Sequence, residues 1–87
     1  MPHNSEAAAP LKISDLSRLS GIPAETIKFY VREGLLPPGE NLRPNKTVYS
    51  RDHVQRLALV RAMRETGGLG IAAIRRILDA FDQFWDD

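Results

Sequence analysis

Two short helical patterns on either side of one glycine constrain the fold of this chain more than any other feature. Ile13, Leu16 and Leu19 recur every three residues, and Gly21 follows directly. This spacing predicts a helix over about residues 14–20 with an apolar face. The glycine permits the tight turn that a second helix needs to fold back. The pattern therefore predicts a helix-turn-helix.

The second helix is predicted to begin at Pro23 and to end near residue 33. Proline suits the first turn of a helix because that position needs no amide donor. Ile27, Tyr30 and Val31 give this helix its inward face, and Gly34 follows as a terminating residue.

A β-hairpin is predicted after the second helix. Residues 35–50 hold three prolines and a glycine, with Val48 and Tyr49 as strand-forming residues. We expect two short strands near 36–38 and 47–49, joined by a polar loop. Such a hairpin beside a helix-turn-helix is called a wing.

Two further helices are predicted after the wing. Ser14 and Ser50 are the expected N-caps of the first and third helices, and the third helix spans about 51–66. The last helix spans about 71–84, with an apolar stripe that we expect to be mostly core: Ile71, Ile74, Leu78, Phe81 and Trp85. Together these elements predict a mainly α fold, a winged helix-turn-helix with a two-stranded β wing and two further packed helices.

Charge is divided unevenly along the chain, although the net charge is only +1. Residues 1–78 hold 12 basic and 7 acidic residues, a net charge of +5. The last nine residues hold four aspartates and no base. Because screening acts over ~8 Å at physiological salt, local charge matters more than the sum. The basic part is compatible with a phosphate backbone, and we expect the acidic end to face away from it.

Composition excludes several other classes of function. The chain has no cysteine, which excludes disulfides and thiolate metal sites and fits the reducing cytoplasm. No apolar run approaches the ~20 residues that span a bilayer, and we find no signal peptide, so we expect no membrane partner. His3 and His53 have no second ligand at metal spacing, so both are predicted to be surface histidines, and we expect no metal or cofactor. No motif groups catalytic residues, so an enzyme is not predicted.

With these residues in place, the chain resembles the N-terminal DNA-binding domain of the MerR family of transcription regulators over residues 11–80. The helix-turn-helix residues that carry the resemblance are Ile13, Leu16, Gly21, Ile22, Thr26, Ile27, Lys28, Phe29, Tyr30, Gly34, Leu35 and Leu36. The later matches are Tyr49, Ser50, Val54, Leu57, Arg61, Arg64 and Gly67. The resemblance implies sequence-specific binding of double-stranded DNA at a promoter. It also implies a dimer on a palindromic site and RNA polymerase as a partner.

Four positions depart from the family pattern. Lys28 stands where arginine is usual, which keeps the charge but loses the bidentate fork. Thr47 replaces a common wing arginine, and Gly68 and Gly70 loosen the junction before the last helix. Family members continue into a long dimerisation helix and an effector-binding region. We therefore expect this 87-residue chain to be a monomer or weak dimer in dilute solution and a dimer on DNA.

The predicted DNA contacts fall on the second helix and the wing. Base edges are assigned to Ala24, Glu25 and Lys28 at the start of the second helix. Phosphates or base edges are assigned to Thr26 and Arg32. The simpler alternatives are a solvated polar face and, for Glu25, a first-turn carboxylate stabilised by the helix dipole.

Aromatic and wing residues complete the predicted site. Tyr30 is expected to pack its ring and extend its hydroxyl to a phosphate, with a purely core role as the alternative. Phe29 is assigned to packing or to contact with a DNA sugar. Arg43, Lys46 and Tyr49 are expected to grip the backbone or minor groove. The basic residues of α2 and the wing are predicted to form one face with Thr26 and Tyr30: Lys28, Arg32, Arg43 and Lys46.

Two other functions stay open from the sequence. One is a stand-alone architectural or excisionase-like DNA-binding protein without an effector domain. The other is a protein-interaction module that uses the last helix, since residues 81–87 form an acidic, aromatic end. The predicted organisation is a mobile tail over 1–10, the winged helix-turn-helix over 11–80, and this end.

Overall fold

Four helices and one two-stranded antiparallel sheet make up the computed structural model of the chain, which describes residues 10–85. The helices are α1 (Ile13–Ser20), α2 (Ala24–Arg32), α3 (Arg51–Glu65) and α4 (Ile71–Trp85), and the strands are β1 (Glu40–Arg43) and β2 (Lys46–Val48). The predicted fold class, a mainly helical winged helix-turn-helix, is confirmed. The predicted mobile tail lies outside the described residues, apart from Pro10.

One apolar cluster joins all four helices. Its buried members are Leu16, Ile22, Ile27, Tyr30, Leu35, Leu36, Leu57, Val60, Ile74 and Leu78. Each fully buried aliphatic side chain contributes roughly 1.5–3 kcal/mol. Leu19 and Phe81 belong to the predicted apolar stripes but are 44% and 50% exposed. Leu19 is exposed because three residues rotate a helix ~60° less than a full turn. Two such steps from Ile13 carry Leu19 away from the buried face.

The turn between α1 and α2 forms around Gly21, as predicted. Gly21 has φ 76°, in the left-handed region, and its amide donates to the Ser17 carbonyl at 2.9 Å. Arg61 of α3 donates to the Ser20 carbonyl at 2.7 Å. A Cβ atom at Gly21 would lie 2.6 Å from Nη1 of that arginine. The left-handed backbone therefore favours glycine here, and any side chain would also displace the Arg61 guanidinium.

The predicted N-cap of α1 is wrong. The helix begins one residue earlier than expected, and Lys12, with extended backbone, is the N-cap instead of Ser14. The Asp15 carboxylate accepts the Lys12 backbone N–H at 2.8 Å, and Arg18 also donates to it at 3.1 Å. These two bonds lower the pKa of Asp15, the backbone bond most. Asp15, at the third position of the helix, thus accepts the backbone N–H of the N-cap residue, as the acidic member of a capping box does.

The first predicted strand is also misplaced. Residues 36–38 form no strand, because Leu36 is buried in the core and the two prolines that follow have no amide to donate. The hairpin instead pairs Glu40 with Val48 and Asn41 with Thr47. The Thr47 hydroxyl donates to the Asn41 side-chain oxygen at 2.6 Å, which braces the wing.

His53 is buried, 8% exposed, so its prediction as a surface histidine is wrong. Its Nδ1 accepts the backbone N–H of Ser50 at 3.1 Å, and its Nε2–H donates to the Pro37 carbonyl at 3.0 Å. The ring also meets Tyr49 edge-on, with centroids 5.1 Å apart. Ser50 stands at the predicted N-cap position of α3, and His53 joins that helix start to the segment that leads into the wing.

Arginines attach α4 to the segment just after α2. Arg56 of α3 forms a bidentate pair with Asp82 at 2.9 and 2.8 Å and donates from Nε to the Leu35 carbonyl at 2.9 Å. Arg75 of α4 donates to the Glu33 carbonyl at 2.7 Å. Part of the acidic end is therefore bound to the domain, while its last two aspartates lie outside the described residues.

We expect Asp82→Asn to destabilise the fold in a pH-dependent way. The Arg56 hydrogen bonds lower the pKa of Asp82 from its ordinary value of 3.8, so the charged pair stabilises the fold above that pH. The variant should lose about 1 kcal/mol at neutral pH, an amount kept small because the carboxylate is 48% exposed. As the pH falls below 3.8, the Asp82 carboxylate of the wild type becomes protonated and the ion pair with Arg56 is lost. The difference in Tm between the wild type and the variant should therefore disappear.

Asp79→Asn is the matched control for this prediction. It removes an exposed carboxylate one turn earlier on α4 that forms no hydrogen bond to Arg56 in the structure. Its effect on Tm should be smaller. A Tm difference between wild type and Asp82→Asn that stays constant through acid pH would show that the ion pair does not act as described.

Candidate nucleic-acid interface

Four exposed side chains lie on one face of α2. They are Glu25, Lys28, Phe29 and Arg32, whose spacing of three, four and seven residues places them side by side. The opposite face, which includes Ile27, is buried in the core. We call these four residues the recognition face. The structure thus presents α2 outward along its whole length with both charged and apolar groups.

The interactions within the recognition face are weak, and the side chains that make them are exposed to solvent. Lys28 lies 3.7 Å from the Glu25 carboxylate, and the two side chains are 52% and 85% exposed. Such surface pairs contribute only ~0–1 kcal/mol, so a stronger anion can displace the carboxylate. The Arg32 guanidinium lies 6.0 Å from the Phe29 ring centroid, a cation–π distance. Phe29 therefore supports the arginine, and its ring centroid lies 6.1 Å from that of Tyr30.

Thr26 and Tyr30 do not lie on the recognition face, although both were predicted to share one basic face with Lys28. They line a separate cleft of about 170 Å³ together with Arg61 and Arg64 of α3. Tyr30 is only 5% exposed, so its ring belongs to the core. The reason is helical: Thr26 and Tyr30 are four residues apart on the side of α2 that turns toward α3.

A second cleft, of about 410 Å³, joins α1, α2 and the wing. We call it the lysine cleft; its lining residues are Lys12, Ile13, Lys28, Asn45, Lys46, Thr47 and Tyr49. The predicted residues Lys28, Lys46 and Tyr49 therefore meet here, whereas Arg43 is exposed on the wing outside this lining. Ala24 is half-buried at the start of α2.

Sequence reasoning missed Lys12, Arg61 and Arg64 as residues of these clefts. Lys12 precedes the helix-turn-helix pattern and gave no periodic signal. The two arginines were matched to a family motif, but nothing in their spacing placed them beside α2. All three positions depend on contacts between elements that are distant in sequence.

Metal and membrane sites find no support in the part of the chain that the structure describes. No cluster of three or more His, Cys, Asp or Glu side chains there could hold a metal ion. Among residues 10–85, no helix combines the length and the apolar character that crossing a bilayer requires.

Comparison with known proteins identifies the family. The family model described as MerR HTH family regulatory protein matches residues 11–80. The chain belongs to this family. MerR-type proteins are DNA-binding transcriptional regulators, and both the fold and the exposed α2 face described above fit that class.

Individual relatives agree with the family assignment. The HTH-type transcriptional regulator ZntR homolog of Haemophilus influenzae is 36% identical over 50 residues, which cover 58% of this chain and 37% of that protein. The Streptomyces coelicolor protein SCO5550, whose crystal structure was reported as that of a transcriptional regulator, has a TM-score of 0.71 and 43% identity. It is matched over 83% of this chain and 30% of its own.

A third relative was solved with a bound metal. The transcription regulator PbrR691 from Ralstonia metallidurans CH34, in complex with lead(II), has a TM-score of 0.77 and 30% identity. The match covers 83% of this chain and 55% of that one. This chain therefore spans between about a third and about half of the length of the MerR-type relatives it matches.

Proposed function

We propose that this chain reads a promoter site in double-stranded DNA, with α2 in the major groove and the wing against the neighbouring backbone. One observation carries the proposal: the recognition face and the wing meet at the lysine cleft, so that both present positive charge to the same side. An exposed helix of this length fits the major groove of B-DNA. In this proposal residues 11–80 are the DNA-binding unit and 81–87 an acidic, aromatic end.

Base reading is assigned to the start of α2. Glu25 can accept a hydrogen bond from a cytosine amino group, and Lys28 can donate to guanine. Ala24 is small enough to allow close approach of that helix end. Since Lys28 is held only loosely by Glu25, either side chain is able to turn to a base.

Backbone contacts are assigned to the remaining predicted residues. Arg32, oriented by Phe29, is placed to donate to a phosphate, and Phe29 to pack on a sugar. A contact from Tyr30 would involve its hydroxyl alone, because its ring is buried; Thr26 lines the same cleft. On the wing, Arg43, Lys46 and Tyr49 are the proposed contacts.

The assembly is proposed from family membership. The chain pairs on a palindromic promoter site, with recognition helices about one DNA turn apart, ~34–36 Å. Deformation of the spacer then lets RNA polymerase engage both promoter elements. This activity places the protein in the bacterial cytoplasm and is not that of an enzyme.

Neutralising the recognition face should reduce the salt dependence of binding. For Lys28→Ala with Arg32→Ala, the plot of log K against log salt should become shallower by about two phosphate contacts, ~1.8 in slope. The measurement uses fluorescence anisotropy with a duplex selected from a random-sequence library. The charge-preserving pair Lys28→Arg with Arg32→Lys is the control and should keep the wild-type slope. An unchanged slope in the alanine pair would contradict the assigned face.

Glu25→Gln should change base preference at one base pair per half-site. A good base contact contributes roughly 1–3 kcal/mol of discrimination, and the amide cannot replace a carboxylate acceptor on equal terms. Repeating the selection with the variant measures this change. Asp52→Asn, which removes the first-turn carboxylate of α3, is the control for loss of a helix-dipole interaction.

The alternative role of Glu25 predicts a different pattern. Removing the carboxylate that lies beside Lys28 would then strengthen binding to every sequence alike. A uniform gain with an unchanged selected motif would return Glu25 to a helix-dipole role.

A further inference from the structure

We propose that the lysine cleft is a binding site for one phosphate of the DNA backbone, and that Lys12 is the contact that connects the helix-turn-helix to the wing there. The inference rests on the proposed function and adds a site to it. Its first support is composition: the chain has only three lysines, Lys12, Lys28 and Lys46, and all three line this cleft. No acidic side chain and none of the nine arginines is among its lining residues.

Backbone hydrogen bonds fix Lys12 beside the wing. The Leu11 amide donates to the Tyr49 carbonyl at 3.0 Å, and the Tyr49 amide donates to the Leu11 carbonyl at 2.8 Å. The next residue, Lys12, is held in turn by its own backbone bond to Asp15. The segment just before α1 is therefore bound to the residue that follows β2. Lys12 lines the same cleft as Lys46.

The charges of the cleft favour an anion. Three lysines line a space of about 410 Å³, and their charges are partly offset by the Glu25 carboxylate, 3.7 Å from Lys28, and by the Asp15 carboxylate, which interacts electrostatically with Lys12. Asn45 and Tyr49 add further donors, while the Thr47 hydroxyl is engaged by Asn41. A phosphate supplies acceptors only, and it would relieve the repulsion between the lysines.

The residue type favours a backbone contact over base reading. Lysine acts as a point charge with rotatable donors, whereas arginine presents a planar fork that favours one orientation. Lys12 and Lys46 therefore hold a phosphate without selecting a base. The cleft lies between the two elements proposed to contact DNA, where the strand would pass from α2 to the wing. Such a contact sets the register of the protein on the duplex.

Lys12→Ala tests the proposal, measured with the selected duplex over about 50–200 mM salt. The slope of log K against log salt should fall by about one, with roughly tenfold weaker binding. Lys12→Arg should restore the slope. Arg76→Ala is the matched control, because Arg76 is exposed on α4 and lies outside the cleft lining. The two Lys12 variants should keep the wild-type Tm, since Lys12 caps α1 through its backbone. Arg76→Ala should keep it as well, because Arg76 is exposed.

A duplex series with single neutral methylphosphonates identifies the phosphate. At one backbone position per half-site, the substitution should weaken the wild type and should weaken Lys12→Ala and Lys46→Ala by less, because each variant already lacks one contact to that phosphate. If each variant is insensitive at a different position, the lysines contact separate phosphates and the proposed shared site is wrong.

Other outcomes separate this proposal from the function on which it rests. If the wild type binds DNA and Lys12→Ala keeps its full slope, the cleft is not a DNA phosphate site. Titration with inorganic phosphate, followed by the amide signals of residues 45–49, would then show whether it holds a free anion instead. A wild type that binds no duplex would overturn the proposed function itself, and this inference with it.

Discussion

The two backbone hydrogen bonds between Leu11 and Tyr49 are the interaction on which the DNA-facing surface depends. They join Leu11, two residues before α1, to Tyr49, the residue after β2, and the whole helix-turn-helix and wing lie between these two residues in sequence. Without them, Lys12 and Lys46 would sit on independent elements. His53 strengthens the same junction by bonding the Pro37 carbonyl and packing on the Tyr49 ring. A small two-stranded hairpin, marginal on its own, is thereby fixed relative to α2.

At the other end of the domain, arginine side chains bind the carbonyls at helix ends to neighbouring helices. The carbonyls that follow α2 have no helical partner, and Arg56 and Arg75 donate to two of them, at Leu35 and Glu33. Arg61 does the same for the Ser20 carbonyl at the end of α1. Each bond ties a helix end to α3 or α4. The recognition helix is therefore positioned by its ends as well as by its apolar face.

The sequence predicts well those features that depend on neighbouring residues. Gly21 and the two helical patterns around it locate the helix-turn-helix, because a left-handed turn and a buried stripe leave local signals. It predicts poorly what depends on contacts between distant segments. His53 is buried because Pro37, sixteen residues away, supplies its acceptor. The β1 strand lies at 40–43, where it pairs with β2, whereas residues 36–38 form no strand and Leu36 is buried in the core.

The candidate site divides in the same way. The recognition face follows from helical spacing, so most of its residues could be chosen from the sequence. Tyr30 and Thr26 were grouped with Lys28 because they share a helix, but they turn toward α3. Lys12 could not be found at all, because only the bridge to Tyr49 brings it to the wing.

We propose that α2 and the wing form one DNA-binding surface joined at the lysine cleft. Chemical-shift mapping of the ¹⁵N-labelled chain, titrated with the selected duplex, tests it most directly. The largest amide shifts should fall together on residues 12, 25–32 and 43–49, while the amide signals of residues 74–82 in α4 should move little. Shifts concentrated on α4, with α2 and the wing unchanged, would contradict it.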